Sequence, residues 1–373
     1  MNQVSQSNAF LRPAHSEQET QFARAFALLR ESIEQRVFPG AALAVTHCGA
    51  LVACQGFGRF TYDATSPAVH ADTVFDLASV TKVVATTAMA MVLYQRGVLR
   101  LESAVAAIFP DFVTLGLPTH QKDRRAVTVG TLLAHCSGLP AYVKLFESAG
   151  TRDELVRAAL ATPLVAPPGS RAEYSDIGFI VLGEFLERLG GVPLDAFAQK
   201  EIFAPLGMAR TCFNPPTDCR SEIPPTEHDN AFRCRVIQGE VNDENAWVMG
   251  GVSGHAGVFA PATDVARFAE CMLRGGAPIL NPATVELFTH RLALPPGTSR
   301  SLGWDTPSQP SSSGAHFSSR SFGHLGYTGT SLWIDPERPL SVTLLTNRTW
   351  PDRSSQTIKR VRPMLHDAII EAL

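Results

Sequence analysis

Apolar residues recur at helical spacing in "EQETQFARAFALLRESIEQRVFPG", where Phe22, Phe26, Leu29 and Ile33 share one face and Pro39-Gly40 ends the run. This predicts a helix with one buried face, preceded by a polar, flexible tail over residues 1–20. Two strand-like runs follow, "AALAVTHCG" and "LVACQGFGRF", joined as a hairpin at a Gly-Ala turn. The same signals return near the C-terminus. There "SLWIDPERPLSVTLLTN" reads as strand, Pro-containing turn and strand, with a last helix from about Ser354. Between these ends "ELVRAALAT", "IGFIVLGEFLERLG" and "ATDVARFAECMLRGG" all carry the 3.6-residue period of helices.

Strands at both ends and helices in the middle predict an α+β fold. The terminal strands pair into one antiparallel sheet covered by the terminal helices, and residues roughly 75–270 form an inserted helical lobe within a single domain over 21–373. A cleft between the two parts is the natural ligand site. "PSQPSSSGAHFSSR" is a low-complexity stretch expected on the surface, and no internal repeat is present.

Composition narrows the function classes. Of 373 residues, 45% are hydrophobic and 18% charged, as in soluble globular proteins, and a net charge of −3 provides no basic field to gather phosphates. That argues against nucleic acid as a partner. No run approaches the ~18 apolar residues of a membrane span. The N-terminal "MNQVSQSNAFLRPAHSEQET" has neither a basic n-region nor an apolar h-region, which leads to the expectation of a cytoplasmic protein unless a leader has been removed. Seven cysteines, none in a C-x-x-C pair, do not suggest a disulfide framework or a cysteine zinc site. H-E-x-x-H, Walker and Rossmann patterns are also missing, so no metal or nucleotide cofactor is expected.

The candidate chemistry lies in "FDLASVTKVVATTAMAM". Ser79 and Lys82 are three apart, hence on one helical face, with Asp76 placed to cap the helix and an apolar run behind to bury it. A serine hydroxyl needs a base to become a nucleophile, and a desolvated lysine can be that base. Alone, this four-residue pattern is more often a helix start with a solvated lysine, so its companions decide. One is "EYSDIGFIVLGEFLE", with Tyr174 and Asp176 just ahead of an apolar helix, where they would otherwise be a half-buried aromatic and a cap. The other is "FGHLGYTGTSLWIDP", whose Gly-rich strand edge can offer backbone N–H groups to a reacting carbonyl while His324 orients a polar or anionic substrate.

In this order the three segments resemble the active-site set of the penicillin-recognising serine hydrolases, which include serine β-lactamases, D-Ala-D-Ala carboxypeptidases and β-lactamase-like carboxylesterases. Tyr174-Ser175-Asp176 and His324-Leu325-Gly326 look most like the class C branch. "TLLAHCSGLP" and "AGVFAPATDVARF" are similar to further segments of the family, and the likeness covers roughly residues 22 to 370. It implies a β-lactamase/transpeptidase-like fold and an acyl-enzyme on Ser79, with Lys82 and Tyr174 shuttling its proton. It also implies that the N–H following Gly326, that of Tyr327, joins the N–H of Ser79 in an oxyanion hole.

Two departures from the family pattern stand out. Asp176 replaces a frequent asparagine, and His324 replaces the lysine usual in β-lactamases. An anionic Asp176 favours a charged Lys82 and shifts the base role toward Tyr174, while His324 is only a partial cation at neutral pH. Esters and amides are therefore expected ahead of β-lactams. "VNDENAWVMGGVSGHAGVFA" is further similar to a subgroup with exo-acting N-acetylmuramyl-L-alanine amidases, which would place Asp243, Asn245 and His255 around the pocket. A polar loop before a helix explains those residues equally well. His135 is expected to be structural. The competing class of function is a peptide- or sugar-binding or scaffold protein on the same fold, which would have little chemical need for Ser79, Lys82 and Tyr174 together.

Overall fold

The computed structural model describes residues 11–115 and 121–373. In chain order its strands are β1 (Arg12–Pro13), β2 (Gly40–His47), β3 (Ala50–Gly58), β4 (Val74–Asp76), β5 (Cys212–Phe213), β6 (Glu227–Asp229), β7 (Arg235–Ile237), β8 (Val258–Pro261), β9 (Phe322–Leu325), β10 (Ser331–Asp335) and β11 (Leu340–Thr346). The main sheet runs β1-β3-β2-β11-β10-β9. The two ends of the chain meet where β2 pairs antiparallel with β11, Leu43 opposite Leu344, which is the closure expected from the strand pattern. The β2–β3 turn is Cys48-Gly49, one residue earlier than the Gly-Ala pair suggested. Both turn residues have positive φ (50° and 76°), the primed-turn backbone that matches strand twist.

Side chains alternate across β2. Ala41, Leu43 and Val45 face Phe26 and Leu29 of the helix Ala23–Glu34 and Val361 and Leu365 of the helix Ile358–Ile370, whereas Ala42 and Ala44 face the larger core. The larger core includes the helix Ala262–Leu273, which packs on β2, β10 and β11. Sequence periodicity put that helix in the helical middle. Its apolar stripe fits the sheet equally well, and period alone does not name a partner.

Within the expected helical lobe the structure also has a small sheet, β4-β8-β5, and the hairpin β6-β7. These strands are two to four residues long, too short to register as an alternating pattern. Of the expected tail, residues 1–10 lie outside the described residues. Arg12–Pro13 pairs with β3, and Gln18 Oε1 accepts the Cys54 N–H at 2.8 Å. Among the described residues no helix is long and apolar enough to cross a membrane.

The helix Asp176–Gly190 runs through the lobe and touches the segment before β8 backbone to backbone. A Cβ at Gly183 would lie 2.8 Å from Gly254 Cα. Gly183→Ala is therefore expected to cost about 1–3 kcal/mol by overpacking, seen as a lower thermal midpoint. A parental midpoint would show that helix and loop separate freely.

Candidate active site

Strand β4 ends at Asp76, and the chain turns sharply into the helix that carries Ser79. Ala78 has φ 46°, a left-handed backbone that a non-glycine residue adopts only when its surroundings impose it. Asp76 imposes it. Its Oδ1 accepts the Ala78 N–H at 2.8 Å and its Oδ2 the Asn242 N–H at 2.7 Å. Asp76 thus holds the turn before the helix and does not cap the helix itself, whose N-cap position is Leu77, with no side-chain cap bond. Burial pushes its carboxyl up to about 6, against the lowering effect of those two N–H bonds.

The chain then makes one 3-10 turn (Ala78–Val80) and a π-helical stretch (Lys82–Thr87). Such wide turns cluster at functional sites. Here the geometry brings Lys82 Nζ within 3.0 Å of Ser79 Oγ. Tyr174 OH, from the segment just before the helix Asp176–Gly190, donates to the same Oγ at 2.7 Å. Lys82 Nζ also donates to Asp176 Oδ1 at 2.6 Å and to the His255 carbonyl at 3.0 Å. All three protons of an ammonium are thereby used, at a side chain with 0% exposure.

Electrostatics divides the two candidates for the base. Burial lowers the pKa of Lys82, and the charge and hydrogen bond of Asp176 oppose without cancelling it. Burial, reinforced by Asp176, pushes Tyr174 well above its ordinary value. Burial therefore keeps Tyr174 a phenol in the resting site and disfavours the ammonium of Lys82. This weighs against the expected shift of the base role to Tyr174, because desolvation of a fully buried ammonium opposes the charge that Asp176 favours.

The opposite wall is the end of β9. Thr328 Oγ1 and Thr330 Oγ1 donate to the carbonyls of Asp76 and Leu77 at 2.9 and 3.0 Å, fastening the β9–β10 turn to the turn before Ser79. Gly326 lies so close that an added Cβ would meet Leu77 O at 2.6 Å. Among the described residues neither the Ser79 nor the Tyr327 N–H has an acceptor in the chain. From below, Arg362 Nη2 donates to the carbonyls of Gly326 and Thr330 at 2.7 and 2.8 Å. His135 lies behind Tyr174, ring centroids 4.7 Å apart, and its Nδ1 accepts the Ser175 N–H at 3.0 Å, so its role is to support the segment that carries Tyr174. Burial holds it neutral, its pKa well below the usual imidazole range.

A β-lactamase family model matches residues 25–362. The chain belongs to the β-lactamase family of serine hydrolases. It is 35% identical to the N-acetylmuramyl-L-alanine amidase of Bacillus subtilis (strain 168) over 346 residues, covering 83% of this chain and 77% of that protein. It is 32% identical to a putative D-alanyl-D-alanine carboxypeptidase of Salmonella agona (strain SL483) over 323 residues, 77% of this chain and 73% of the other. Among solved structures the fold is shared with EstCE1, a hydrolase with promiscuous acyltransferase activity, at TM-score 0.77 and 22% identity over 95% of this chain and 100% of that one.

In this β-lactamase-family chain the cleft above Ser79 holds about 920 Å³ and is lined by Tyr174, Asp176, Asp243, His255, His324, Gly326 and Tyr327, among others. Asn245 does not line it. Its side chain is fully buried and ties Val143 O and the Phe146 N–H, so it shapes a wall from behind. His324 is buried too. Its Nδ1 donates to Leu325 O at 2.7 Å, and burial first, then the nearby Lys82 and Arg300 charges, hold its pKa well below the usual imidazole range. It is therefore a neutral group with an acceptor at Nε2, not the partial cation expected. The cations of the cleft are others: Arg300, 5.6 Å from the Tyr174 ring, with Arg348, Arg353, Lys359 and Arg362. Sequence reading missed these because they come from loops and the last helix with no motif around them. It also missed the β6–β7 hairpin, whose Phe232 ring lies tilted against Phe146, centroids 4.7 Å apart, in the lining of the cleft. Among the described residues no cluster of His, Cys, Asp and Glu is placed to hold a metal ion.

Proposed function

We propose that Ser79 is the nucleophile of an SxxK-type hydrolase that opens esters or amides through an acyl-enzyme. The observation that supports this most is the convergence of Lys82 Nζ and Tyr174 OH on Ser79 Oγ, at 3.0 and 2.7 Å, on the floor of an open cleft. A neutral lysine amine has two hydrogens and one lone pair. Asp176 and the His255 carbonyl are acceptors, so they take the two hydrogens and leave the lone pair aimed at the Ser79 hydroxyl. Lys82 then accepts the Ser79 proton as Oγ bonds to the substrate carbonyl carbon. The N–H groups of Ser79 and Tyr327 hold the oxyanion. Tyr174 donates its proton to the leaving group as the carbon–leaving-group bond breaks and regains it from Lys82; water cleaves the resulting ester by the same path.

A muropeptide amide, or a peptide ending in a D-amino acid, is the narrower substrate we favour, on the ground of the two relatives at 35% and 32% identity. Purified protein offered a short-chain p-nitrophenyl ester, a chromogenic cephalosporin and a muramyl-dipeptide separates the three activities. The parent is expected to cleave ester or muramyl amide ahead of the cephalosporin. A lactam side-chain amide meets a carboxylate at Asp176, and the lactam carboxylate meets a neutral His324. Asp176→Asn should move the ester-to-cephalosporin ratio of kcat/KM toward the lactam by about fivefold to tenfold, the value of one hydrogen bond of the right polarity. A flat ratio, or efficient cephalosporin hydrolysis by the parent, removes Asp176 as a selectivity determinant.

A further inference from the structure

Behind Lys82 lies a chain of polar side chains that the acylation step does not use directly. Asp243 Oδ1 accepts from His255 Nε2 at 2.8 Å, and His255 Nδ1 bonds Ser253 Oγ at 2.8 Å. The composition is that of a nucleophile triad, but Ser253 is 1% exposed and does not line the cleft, so no substrate reaches it. What the chain does reach is Lys82, through the backbone carbonyl of His255.

The chain closes a ring around the nucleophile. Asp76 holds both the Ala78 N–H and the Asn242 N–H; Asn242 precedes Asp243; Asp243 holds His255; and His255 O meets Lys82, which meets Ser79. A backbone carbonyl before a strand has no side chain of its own to fix its direction. Here the imidazole is clamped at both nitrogens, so the carbonyl of the same residue is fixed too. The carboxylate, an acceptor only, places a proton on Nε2. Asp243 Oδ1 also accepts the Ala246 N–H at 2.8 Å. Burial opposes its charge, yet the neighbouring His255 and these bonds hold the carboxyl down at about 2.

We propose that Asp243, His255 and Ser253 form a positioning relay for Lys82. The clamped imidazole aims the His255 carbonyl, and hence the Lys82 lone pair, at Ser79, while the Asp243 carboxylate is a second anion that raises the proton affinity of Lys82. The groups facing Lys82 from each packed element are Ser79 on its own helix, His135 and Tyr174 behind the ring stack, Asp176 at the head of its helix, Asp243 and His255, Arg300 from the loop, and His324 from β9. Asp176 and Asp243 favour the ammonium, and Arg300 disfavours it. Charge and aim are therefore separable by substitution.

The inference rests on Ser79 as nucleophile, and the test reports on both. A fluorophosphonate probe is reacted with the full chain across pH, and the second-order labelling rate of Ser79 is followed by mass spectrometry. In the parent the rate should rise with pH as Lys82 loses its proton. Asp243→Asn keeps the acceptor oxygen and removes the charge, so the rising limb should move to lower pH by roughly 0.5 unit or more. His255→Ala removes the clamp, so the plateau rate should fall by about tenfold or more. His255→Gln, which still reaches Asp243, should recover part of that loss. An unmoved limb in Asp243→Asn, or a parental plateau in His255→Ala, overturns the relay while labelled Ser79 leaves the nucleophile standing. A parent that shows no label on Ser79 overturns both. If His255→Ala does not fold, the Asp243→Asn limb and the His255→Gln plateau decide alone.

Discussion

Ser79→Ala is expected to remove at least ~10³ of any hydrolytic rate, because deletion of a nucleophile leaves only binding and oxyanion stabilisation. The cleft should survive the change. Ala78 is held by Asp76, and Lys82 keeps two of its three partners, Asp176 and the His255 carbonyl. Ester substrate turned over by the parent should give an acyl adduct on Ser79, observed as a mass increase on the peptide that contains it and missing from the alanine variant. The fold of the variant can be checked by its thermal midpoint. If Ser79→Ala retained most of the activity, the two contacts at Oγ would be a structural hydrogen-bond cluster, and the assignment of the cleft as an acylation site would go with it.

The parts of this site that were legible in the sequence are those whose chemistry needs a fixed local spacing. Ser79 and Lys82 are close because a helical turn makes residues three apart neighbours, and Tyr174 announces itself by its place ahead of an apolar helix. Their contact with each other is long-range, 95 residues between Tyr174 and Ser79, and only the order of the segments suggested it. The cations Arg300, Arg348, Arg353 and Arg362 were not legible. Arg300, Arg348 and Arg353 lie in loops without periodicity and Arg362 in the last helix, and a lone arginine in a polar stretch looks like any solvated one. His324 was expected to be a partial cation and the base role to move from Lys82 toward Tyr174, both for a related reason. Neighbours can be counted from motifs, but burial, which dominates all three, is a property of the packed molecule.

The sheet shows the same division. β2 and β11 were predicted because seven or eight consecutive residues hold the strand pattern, and both faces of β2 are covered. β4, β5 and β8 escaped because two to four residues carry no readable alternation, although β4 ends in Asp76 and β8 begins three residues after His255. Short strands next to the site are what aim it.

Tyr174→Phe tests the division of labour between the two groups at Oγ. The substitution keeps the ring that packs tilted against His135 and lies 4.9 Å from Lys82 Nζ, and it removes only the hydroxyl. Folding should be retained. Burial pushes its pKa up and keeps Tyr174 a phenol, so in the proposed mechanism what is lost is a donor, the proton handed to the leaving group. The expected result is a fall in kcat of roughly 10²–10⁴, the range for a general acid–base group, with KM nearly unchanged. The loss should also depend on the leaving group. An activated p-nitrophenolate departs without a proton and should suffer least, whereas an amide nitrogen must be protonated and should suffer most. Measuring kcat for the ester and for the muramyl amide in parent and variant separates the roles. Equal losses on both substrates would mean that Tyr174 acts in forming the nucleophile and not in releasing the product. A normal kcat with raised KM would reduce it to an aromatic wall and leave Lys82 to carry the proton alone.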